Sequence, residues 1–330
     1  MTALRKIIGF SLAGFLCVAC TSSADDPDIA KRTEVAQCAV ELVVLGIGQD
    51  ASIPQIGNHA DPAWANSDQA QTATALALLD RVNGARYLFE ATPDISAQLY
   101  ALDEIMPAEP IGRTLGLSGI FLTHAHIGHY AGLMFLGREA ASTDAVPVYA
   151  MPRMESYIQS NGPWSQLVTL NNIALQSLHD QQSTDLSDRI SVTPYRVPHR
   201  DEFSETVGFH IQTPERSALF LPDIDSWQEW ETEHGQKIED WVAKVDYAFV
   251  DATFFDDHEL PGRDMSQIPH PRVSETMARF AGASDEVKSR IRFIHINHTN
   301  SIRDADSAKS QSVREAGFGI ARAGERYCLI

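Results

Sequence analysis

The sequence predicts an α/β fold, and two observations point to it. Strand-like apolar runs alternate with segments of helical periodicity from residue 39 to the end of the chain. The composition is that of a folded protein, with 44% hydrophobic and 21% charged residues in a total of 330. The 26 basic and 44 acidic residues give a formal charge of −18, and this balance excludes a general nucleic-acid binder because phosphate affinity comes from clustered Lys and Arg.

The first predicted element is a buried strand that follows Ala39 and ends at Gly46. Residues 49–71 contain Pro, Asn and Gly and are expected to form an irregular surface loop that contributes to a site. Apolar runs predict further strands at 87–91, 119–123, 146–150, 190–197, 207–213, 218–221, 247–251, 292–297, 317–322 and 326–330. Helical periodicity predicts helices at 72–82, 95–105, 227–242 and 272–281.

Residues 1–19 are predicted to be an export signal. Arg5 and Lys6 precede an apolar run at 7–16, which is about half the roughly 20 residues that span a bilayer. The following Val18-Ala19-Cys20 resembles a bacterial lipobox, which implies that Cys20 is lipidated. Cleavage without a lipid is the alternative. We therefore expect an exported protein, periplasmic or anchored in the outer membrane, whose membrane contact is through the lipid.

Residues 20–37 are polar and contain Pro27, as expected of a tether, and they lead into one folded domain at 38–330. Two cysteines, Cys38 and Cys328, lie at the two ends of that domain. In an oxidising compartment an even pair suggests a disulfide. Two buried free thiols are the alternative.

The clearest chemical signal lies in residues 122–133. His124, His126 and His129 follow a predicted strand and run into a predicted helix. Histidines with this spacing across a strand-to-helix turn direct their imidazoles toward one point, and neutral imidazole nitrogen is a good ligand for Zn²⁺. Scattered surface histidines are the alternative interpretation.

This pattern resembles the metallo-β-lactamase superfamily, whose signature is His-x-His-x-Asp-His, and the later motifs of that family follow in order. The resemblance implies a four-layer αββα sandwich. His199, after a strand, matches the third ligand of the first metal. Asp223 matches the carboxylate that bridges two metals, and His298 matches a ligand of the second. The implied metal ligands are His124, His126, His129, His199, Asp223 and His298.

Gly128 departs from the signature because it stands where the family has Asp. That Asp is a ligand of the second metal and in many members positions the attacking water. The resemblance therefore implies an intact first site and a second site that binds more weakly or holds more water. One or two zinc ions are expected.

Part of the chain is similar to coenzyme PQQ synthesis protein B within this superfamily. The likeness lies in Leu45-Gly46 with Ile53-Pro54-Gln55, in Ala91-Thr92-Pro93-Asp94-Ile95 with Gln98, and in residues 295–300. His295 itself is expected to face the other side of an extended strand from His298, as a core or supporting histidine.

A second likeness is to the phosphodiesterase branch typified by tRNase Z. In that branch a Thr-Phe after a strand precedes a distant His that acts as general acid. Asp251-Ala252-Thr253-Phe254, followed by His270 and Glu275, fits that layout. The resemblance assigns His270 as the catalytic proton donor.

Metal-assisted hydrolysis is the chemistry that these resemblances imply. Zn²⁺ lowers the pKa of its bound water to about 7. Asp223 would orient that water or bridge to a second ion, and His270 would protonate the leaving group. We expect a small-molecule ester, lactone, lactam or phosphodiester. One alternative is an iron-dependent oxidoreductase resembling coenzyme PQQ synthesis protein B, since ligand sets of His and carboxylate accept iron. The other is a non-catalytic metal- or ligand-binding lipoprotein.

Overall fold

The computed structural model describes residues 38–108 and 113–330, so the predicted signal, Cys20 and the tether lie outside it. Two seven-stranded mixed sheets form the centre, in the strand orders β14-β1-β2-β3-β4-β5-β6 and β13-β12-β11-β10-β9-β8-β7. Helices cover their outer faces, which confirms the predicted αββα sandwich. None of the helices in these two ranges has the length and apolar character needed to span a membrane.

The strands are β1 Val40–Gly46, β2 Ala75–Asp80, β3 Ala85–Phe89, β4 Gly119–Phe121, β5 Val146–Ala150, β6 Ile173–Ser177, β7 Thr184–Asp185, β8 Ser191–Arg196, β9 Val207–Gln212, β10 Ser217–Leu221, β11 Tyr247–Asp251, β12 Ile291–Ile294, β13 Gly319–Ile320 and β14 Arg326–Cys328. The α-helices are α1 Ile95–Ile105, α2 Ile127–Tyr130, α3 Pro152–Ser160, α4 Trp164–Thr169, α5 Trp227–His234, α6 Ile238–Lys244, α7 Val273–Arg279, α8 Asp285–Lys288 and α9 Ala308–Glu315.

Strand β1 shows why the layers form. Its seven residues are all buried, because successive side chains point to opposite faces and both faces are covered. Val40, Leu42 and Val44 pack in the core between the sheets. Val43 and Leu45 pack on the other face, in the core that also holds residues of α1, α3 and α4.

The helix predicted at 72–82 is wrong, because these residues contain strand β2. Ala75–Asp80 is apolar almost throughout, and a short apolar run of that kind fits a strand buried on both faces as well as a helix. β2 pairs antiparallel with β1 on one side and with β3 on the other. Pairing with these two neighbouring strands makes the segment a strand, and the segment's own sequence does not indicate that pairing.

The single helix predicted at 227–242 is two helices, α5 and α6. Gly235 ends α5 in the left-handed conformation, with φ 66°, and its N–H donates to the carbonyl oxygens of Trp230 and Glu231. Glycine adopts this conformation without steric cost and commonly ends helices in this way.

Several polar residues follow the carboxyl ends of parallel strands and therefore lie at one edge of the sandwich. β3 to β6 run parallel in one sheet, and β10 to β13 run parallel in the other. Glu90 follows β3, the histidines of residues 124–129 follow β4, and Asp223 follows β10. Sites in α/β sheets form at such carboxyl ends, where loops from neighbouring strands converge.

A disulfide joins Cys38 to Cys328, with their Cα atoms 5.7 Å apart. Cys38 precedes β1 and Cys328 lies in β14, and these two strands pair in antiparallel register. The bond therefore ties the start of the domain to its end, across 290 residues of sequence.

His210, on β9, makes the stability of the domain depend on pH. Its side chain is buried, and neither ring nitrogen has a hydrogen-bond partner in the described part of the chain. Burial and the nearby Lys244 lower the pKa of His210 to about 4. The unfolded chain then binds a proton near pH 6.5 that the folded chain does not, so stability falls as the pH drops from about 6.5 to about 4, by up to about 3 kcal/mol.

We expect His210→Leu to remove part of this loss of stability in acid. The measurement is the urea midpoint at pH 7 and pH 5 for both proteins. Parallel decreases in the wild type and the variant would contradict the assignment.

Candidate metal centre

Three imidazoles and a carboxylate converge at the edge described above. His124 Nε2 lies 2.8 Å from His126 Nδ1, and His199 Nε2 lies 3.1 Å from that same atom. Asp223 Oδ2 lies 3.1 Å from His199 Nε2 and 3.5 Å from His124 Nε2. Four ligands around one Zn²⁺ at 2.0–2.1 Å are separated by about 3.3 Å, and these four contacts are close to that separation. His124, His126, His199 and Asp223 are hereafter the first group.

Each histidine of the first group has a supporting partner on its other ring nitrogen. His199 Nδ1 donates to Asp225 Oδ1 at 2.6 Å, and His126 Nε2 donates to Glu202 Oε2 at 3.1 Å. Because carboxylates only accept hydrogen bonds, each imidazole keeps a proton on the nitrogen that faces the carboxylate. The opposite ring nitrogen is then available to bind a metal. Such partners orient metal-binding imidazoles and increase their basicity.

Glu90 supports two histidines at once. It is fully buried, and its Oε1 accepts from Thr123 Oγ1 at 2.5 Å. His124 Nδ1 lies 2.9 Å from the same Thr123 oxygen, and His129 Nδ1 lies 3.2 Å from Glu90 Oε1. Glu90 thus holds His124 through Thr123 and holds His129 directly, which leaves both Nε2 atoms for a metal.

A second group of ligand atoms lies near the same Asp223 oxygen, Oδ2. It consists of Asp50, His129 and His295, whose ligand atoms all lie within 4.8 Å of one another. His129 Nε2 is 3.5 Å from Asp50 Oδ1 and 3.7 Å from Asp223 Oδ2, and His295 Nε2 is 3.9 Å from Asp223 Oδ2. These three side chains are hereafter the second group.

Two histidines of the second group and the adjacent Asp223 have buried polar atoms without hydrogen-bond partners. His129 Nε2, His295 Nε2 and Asp223 Oδ1 have no hydrogen-bond partner among the described residues, although all three side chains are buried. Buried polar atoms are rarely left in this state, and a bound ion is one of the explanations for such atoms. The donor set therefore fits a divalent metal between these side chains.

The structure places His295 where the sequence analysis expected His298. β12 ends at Ile294, and His295 has φ 64°, so the strand alternation that would have turned its ring away stops one residue earlier. His295 Nδ1 is held by Thr253 Oγ1 at 3.0 Å, which directs Nε2 toward Asp223. The expectation that His295 faces away from the site is therefore corrected.

His298 lies outside both groups of ligand atoms in the part of the chain that the structure describes. It lines a separate cavity of about 600 Å³ together with Arg303 and Arg322. Burial and the charge of Arg303 lower the pKa of His298 by more than the nearby Asp61 raises it. After His295 the chain turns toward a short 3-10 helix at Ser301–Arg303, and His298 lies in the segment between them.

His270, the expected proton donor, is brought into the site. Its Nδ1 lies 2.8 Å from Asp251 Oδ2 and 3.3 Å from Asp223 Oδ1. Burial lowers its pKa, but the carboxylates of Asp251 and Asp223 outweigh burial, and the pKa of His270 is raised. Glu275, the other residue of that likeness, is exposed on α7, and Asp251 contacts the ring.

Neighbouring carboxylates raise the pKa of two histidines of the site. Burial lowers the pKa of His129, but Glu90 and Asp50 outweigh it and raise the pKa to about 10. Burial also lowers the pKa of His199, but Asp223 and Asp225 outweigh burial and raise that pKa to about 9. A metal must displace such protons, since imidazole binds through an unprotonated nitrogen.

Sequence reasoning did not find Asp50 of the second group or the supporting residues Thr123, Glu202 and Asp225. Asp225 had a usable signal, because it lies two residues after Asp223 at the same strand end. Glu90 had a similar signal, because it is a carboxylate directly after strand β3. Asp50 had a weaker signal, its place in the irregular loop at 49–71 that was expected to form part of a site.

Glu90→Gln is expected to weaken metal binding by about 10- to 100-fold, the usual cost of losing a supporting partner. The amide keeps the shape of Glu90 but loses the charge and one of the two acceptor oxygens that face Thr123 and His129. The measurement is metal affinity by competition with a chromophoric chelator. Glu205→Gln is the matched control, because Glu205 is also buried but accepts from the Arg153 backbone N–H at 3.0 Å. Equal affinities in the two variants would contradict the role of Glu90.

Comparison with known proteins is consistent with this arrangement. A family model for the β-lactamase superfamily domain matches residues 85–296. Coenzyme PQQ synthesis protein B of Methylorubrum extorquens (strain PA1) is 23% identical over 312 residues, which cover 86% of this chain and 98% of that protein.

Two solved structures share the fold. Zn²⁺-bound PqqB from Methylobacterium extorquens superposes with a TM-score of 0.72 at 21% identity, over 87% of this chain and 99% of that one. A diphosphatase from the PhnP family superposes with a TM-score of 0.60 at 19% identity, over 87% of this chain and 96% of that one.

Proposed function

This chain belongs to the metallo-β-lactamase superfamily, and from that membership and its ligand geometry we propose that it is a metal-dependent hydrolase. One observation carries the proposal. Three imidazole nitrogens and a carboxylate oxygen of the first group face one point, and each imidazole is held from behind by a hydroxyl or carboxylate oxygen. Catalytic zinc sites have three protein ligands and keep a further position for water or substrate, and the three histidines can supply such a set.

The first group would hold the metal, and Asp223 Oδ2 lies near the histidines of both groups. Zinc, when bound there, supplies a Lewis acid that lowers the pKa of a coordinated water. Asp223 is 3% exposed, so its carboxylate is fixed in place and shielded from bulk water. It can therefore orient the attacking water toward a substrate held at the edge of the sandwich.

His270 would supply the proton that the leaving group needs. Asp251 holds its Nδ1, so the ring is fixed and Nε2 is the atom that Asp251 does not use. In the reaction the water oxygen bonds to the carbonyl carbon or phosphorus, and the bond to the leaving atom breaks. The leaving atom takes a proton from His270, and the proton lost by the water passes to solvent.

The proposed substrate is a small ester, lactone, lactam or phosphodiester, and the proposed metal is zinc. The formal charge of −18 weighs against polyanionic RNA. The diphosphatase and the Zn²⁺-bound PqqB share the fold at under 25% identity, so they support the architecture and leave the substrate class to experiment.

Export of the protein as a lipoprotein is part of the proposal. The residues that carry it, including Cys20, precede those that the structure describes. The disulfide between Cys38 and Cys328 supports it, because disulfides persist mainly in oxidising compartments. Cys20→Ala is expected to abolish labelling by a palmitate analogue in the producing cell. Unchanged labelling would exclude lipidation at Cys20.

The hydrolase proposal is tested by a screen of four chromogenic or titratable probes. These are p-nitrophenyl acetate, a γ-lactone, nitrocefin and bis-p-nitrophenyl phosphate. We expect turnover of at least one class, lost on treatment with dipicolinate and restored by Zn²⁺. Absence of turnover for all four classes in a protein that carries its full metal content would contradict the proposal.

An iron-dependent oxidoreductase is the second candidate. The observation that favours it is the likeness to coenzyme PQQ synthesis protein B, which covers 98% of that protein. Histidine and carboxylate ligands accept iron as well as zinc. Iron in the protein as purified, together with inactivity in the hydrolysis screen, would favour this candidate over the hydrolase.

A further inference from the structure

The space next to Gly128 is occupied by Asp50. A Cβ atom built on Gly128 would lie 2.3 Å from the Cα of Asp50, 2.7 Å from its Oδ1 and 2.9 Å from its carbonyl oxygen. Real Cβ atoms do not approach other atoms so closely. Position 128 therefore has no room for a side chain, because the loop that carries Asp50 passes directly over it.

Asp50 directs its carboxylate at the second group. Its Oδ1 lies 3.5 Å from His129 Nε2, close to the separation of about 3.3 Å expected for two ligands on one Zn²⁺. His129 Nε2 and His295 Nε2 are the buried atoms without hydrogen-bond partners described above, and both lie within 4.8 Å of an Asp50 ligand atom.

The loop around Asp50 is tied to the loop that carries His295. The N–H of Gln49 donates to the carbonyl oxygen of Ile296 at 2.9 Å, and the side-chain amide of Asn297 donates to the Gln49 side chain. The N–H of Gly48 donates to Thr72 O at 2.9 Å. The two loops thus place a carboxylate and an imidazole side by side.

We propose that Asp50 supplies to a second metal ion the carboxylate that the family signature places at position 128. The inference rests on the proposed function, because it assigns the second ion of that same centre. Asp50, His129 and His295 would hold a divalent cation such as Zn²⁺, with Asp223 between the two ions. Asp50 and Asp223 together bring two negative charges to that cation, so the substitution at Gly128 relocates a carboxylate and does not delete one.

Asp50→Asn is the first test. The wild-type protein, saturated with Zn²⁺ and passed through a desalting column, is expected to carry two ions per chain. The variant is expected to carry one, with its second-site affinity lowered at least about 10-fold. Asp68→Asn is the matched control, because Asp68 is an exposed carboxylate of the same loop, and it should carry two ions. Two ions of unchanged affinity in Asp50→Asn would overturn the inference and would show that Asp50 only pairs with His129.

Gly128→Asp is the second test, because it restores the family signature. If the second site simply lacked a carboxylate, this change would tighten the second ion. Our inference predicts the opposite, since the new Cβ must displace Asp50, and the second ion should be lost as in Asp50→Asn. A far-ultraviolet circular dichroism spectrum shows whether the variant is folded. Tighter binding of the second ion in Gly128→Asp would contradict the inference.

Failure of this inference and failure of the proposed function give different results. If Asp50→Asn keeps both ions while the wild type hydrolyses a probe, only the role of Asp50 is excluded. If the wild type carries two ions, Asp50→Asn carries one and no probe is hydrolysed, the metal site stands and the hydrolase proposal fails.

Discussion

His126→Ala is expected to abolish metal binding at the first group and, with it, hydrolysis of any probe that the wild type accepts. His126 Nδ1 lies within 3.1 Å of the Nε2 atoms of both His124 and His199, so it is central to the three nitrogens. Its removal leaves two imidazoles and Asp223 of the four ligand residues of the first group, so zinc loses one of its three histidine nitrogens. The affinity should fall by more than the 10- to 100-fold cost of losing a supporting partner.

The measurement is metal content by mass spectrometry, followed by turnover at saturating Zn²⁺. His258→Ala is the control, because His258 is exposed on a loop and belongs to neither group of ligand atoms in the described residues. Its metal content and turnover should equal those of the wild type. Full metal content at the first group in His126→Ala would exclude the assignment.

His295→Ala is expected to remove the second ion, whereas His298→Ala is expected to leave both ions in place. His295 is fully buried and directs an unpartnered Nε2 at Asp223, while His298 lines a cavity with Arg303. The family signature alone would predict the reverse outcome for these two residues. The pair of variants therefore separates the structural assignment from the one based on sequence.

Zinc titration monitored by competition with a chelator measures both variants on the same scale. Thermal unfolding of the zinc-free proteins gives the loss of packing at position 295 separately from the loss of metal. A second ion retained in His295→Ala and lost in His298→Ala would contradict the structure and favour the signature. Loss in both variants would contradict the statement that His298 takes no part.

Much of the fold was predictable because apolar runs alternate with segments of helical periodicity along the chain. The predicted helix at 95–105 and the predicted strands at 146–150 and 247–251 have the observed bounds. β2 was mistaken for a helix because its apolar residues carry no period of their own, and pairing with β1 and β3 decides its structure. β6 was missed for a different reason, since only Ile173 of its five residues is buried.

The first group was predictable because its histidines are close in sequence or follow strands. The second group was only half predictable, since its geometry depends on two backbone conformations that the sequence does not announce. His295 adopts φ 64° at the end of β12, which reverses the direction that strand alternation assigns to it. Asp50 adopts φ 34° in a loop and approaches Gly128 from a segment 78 positions earlier in the sequence.

The most direct test of a two-ion hydrolase centre is the identity and number of metal ions in the protein purified without added metal. We expect two zinc ions per chain, one at His124, His126 and His199 and one at Asp50, His129 and His295. One zinc ion would contradict the second site. Iron in place of zinc would contradict the assignment of zinc, and together with inactivity in the hydrolysis screen it would favour the oxidoreductase.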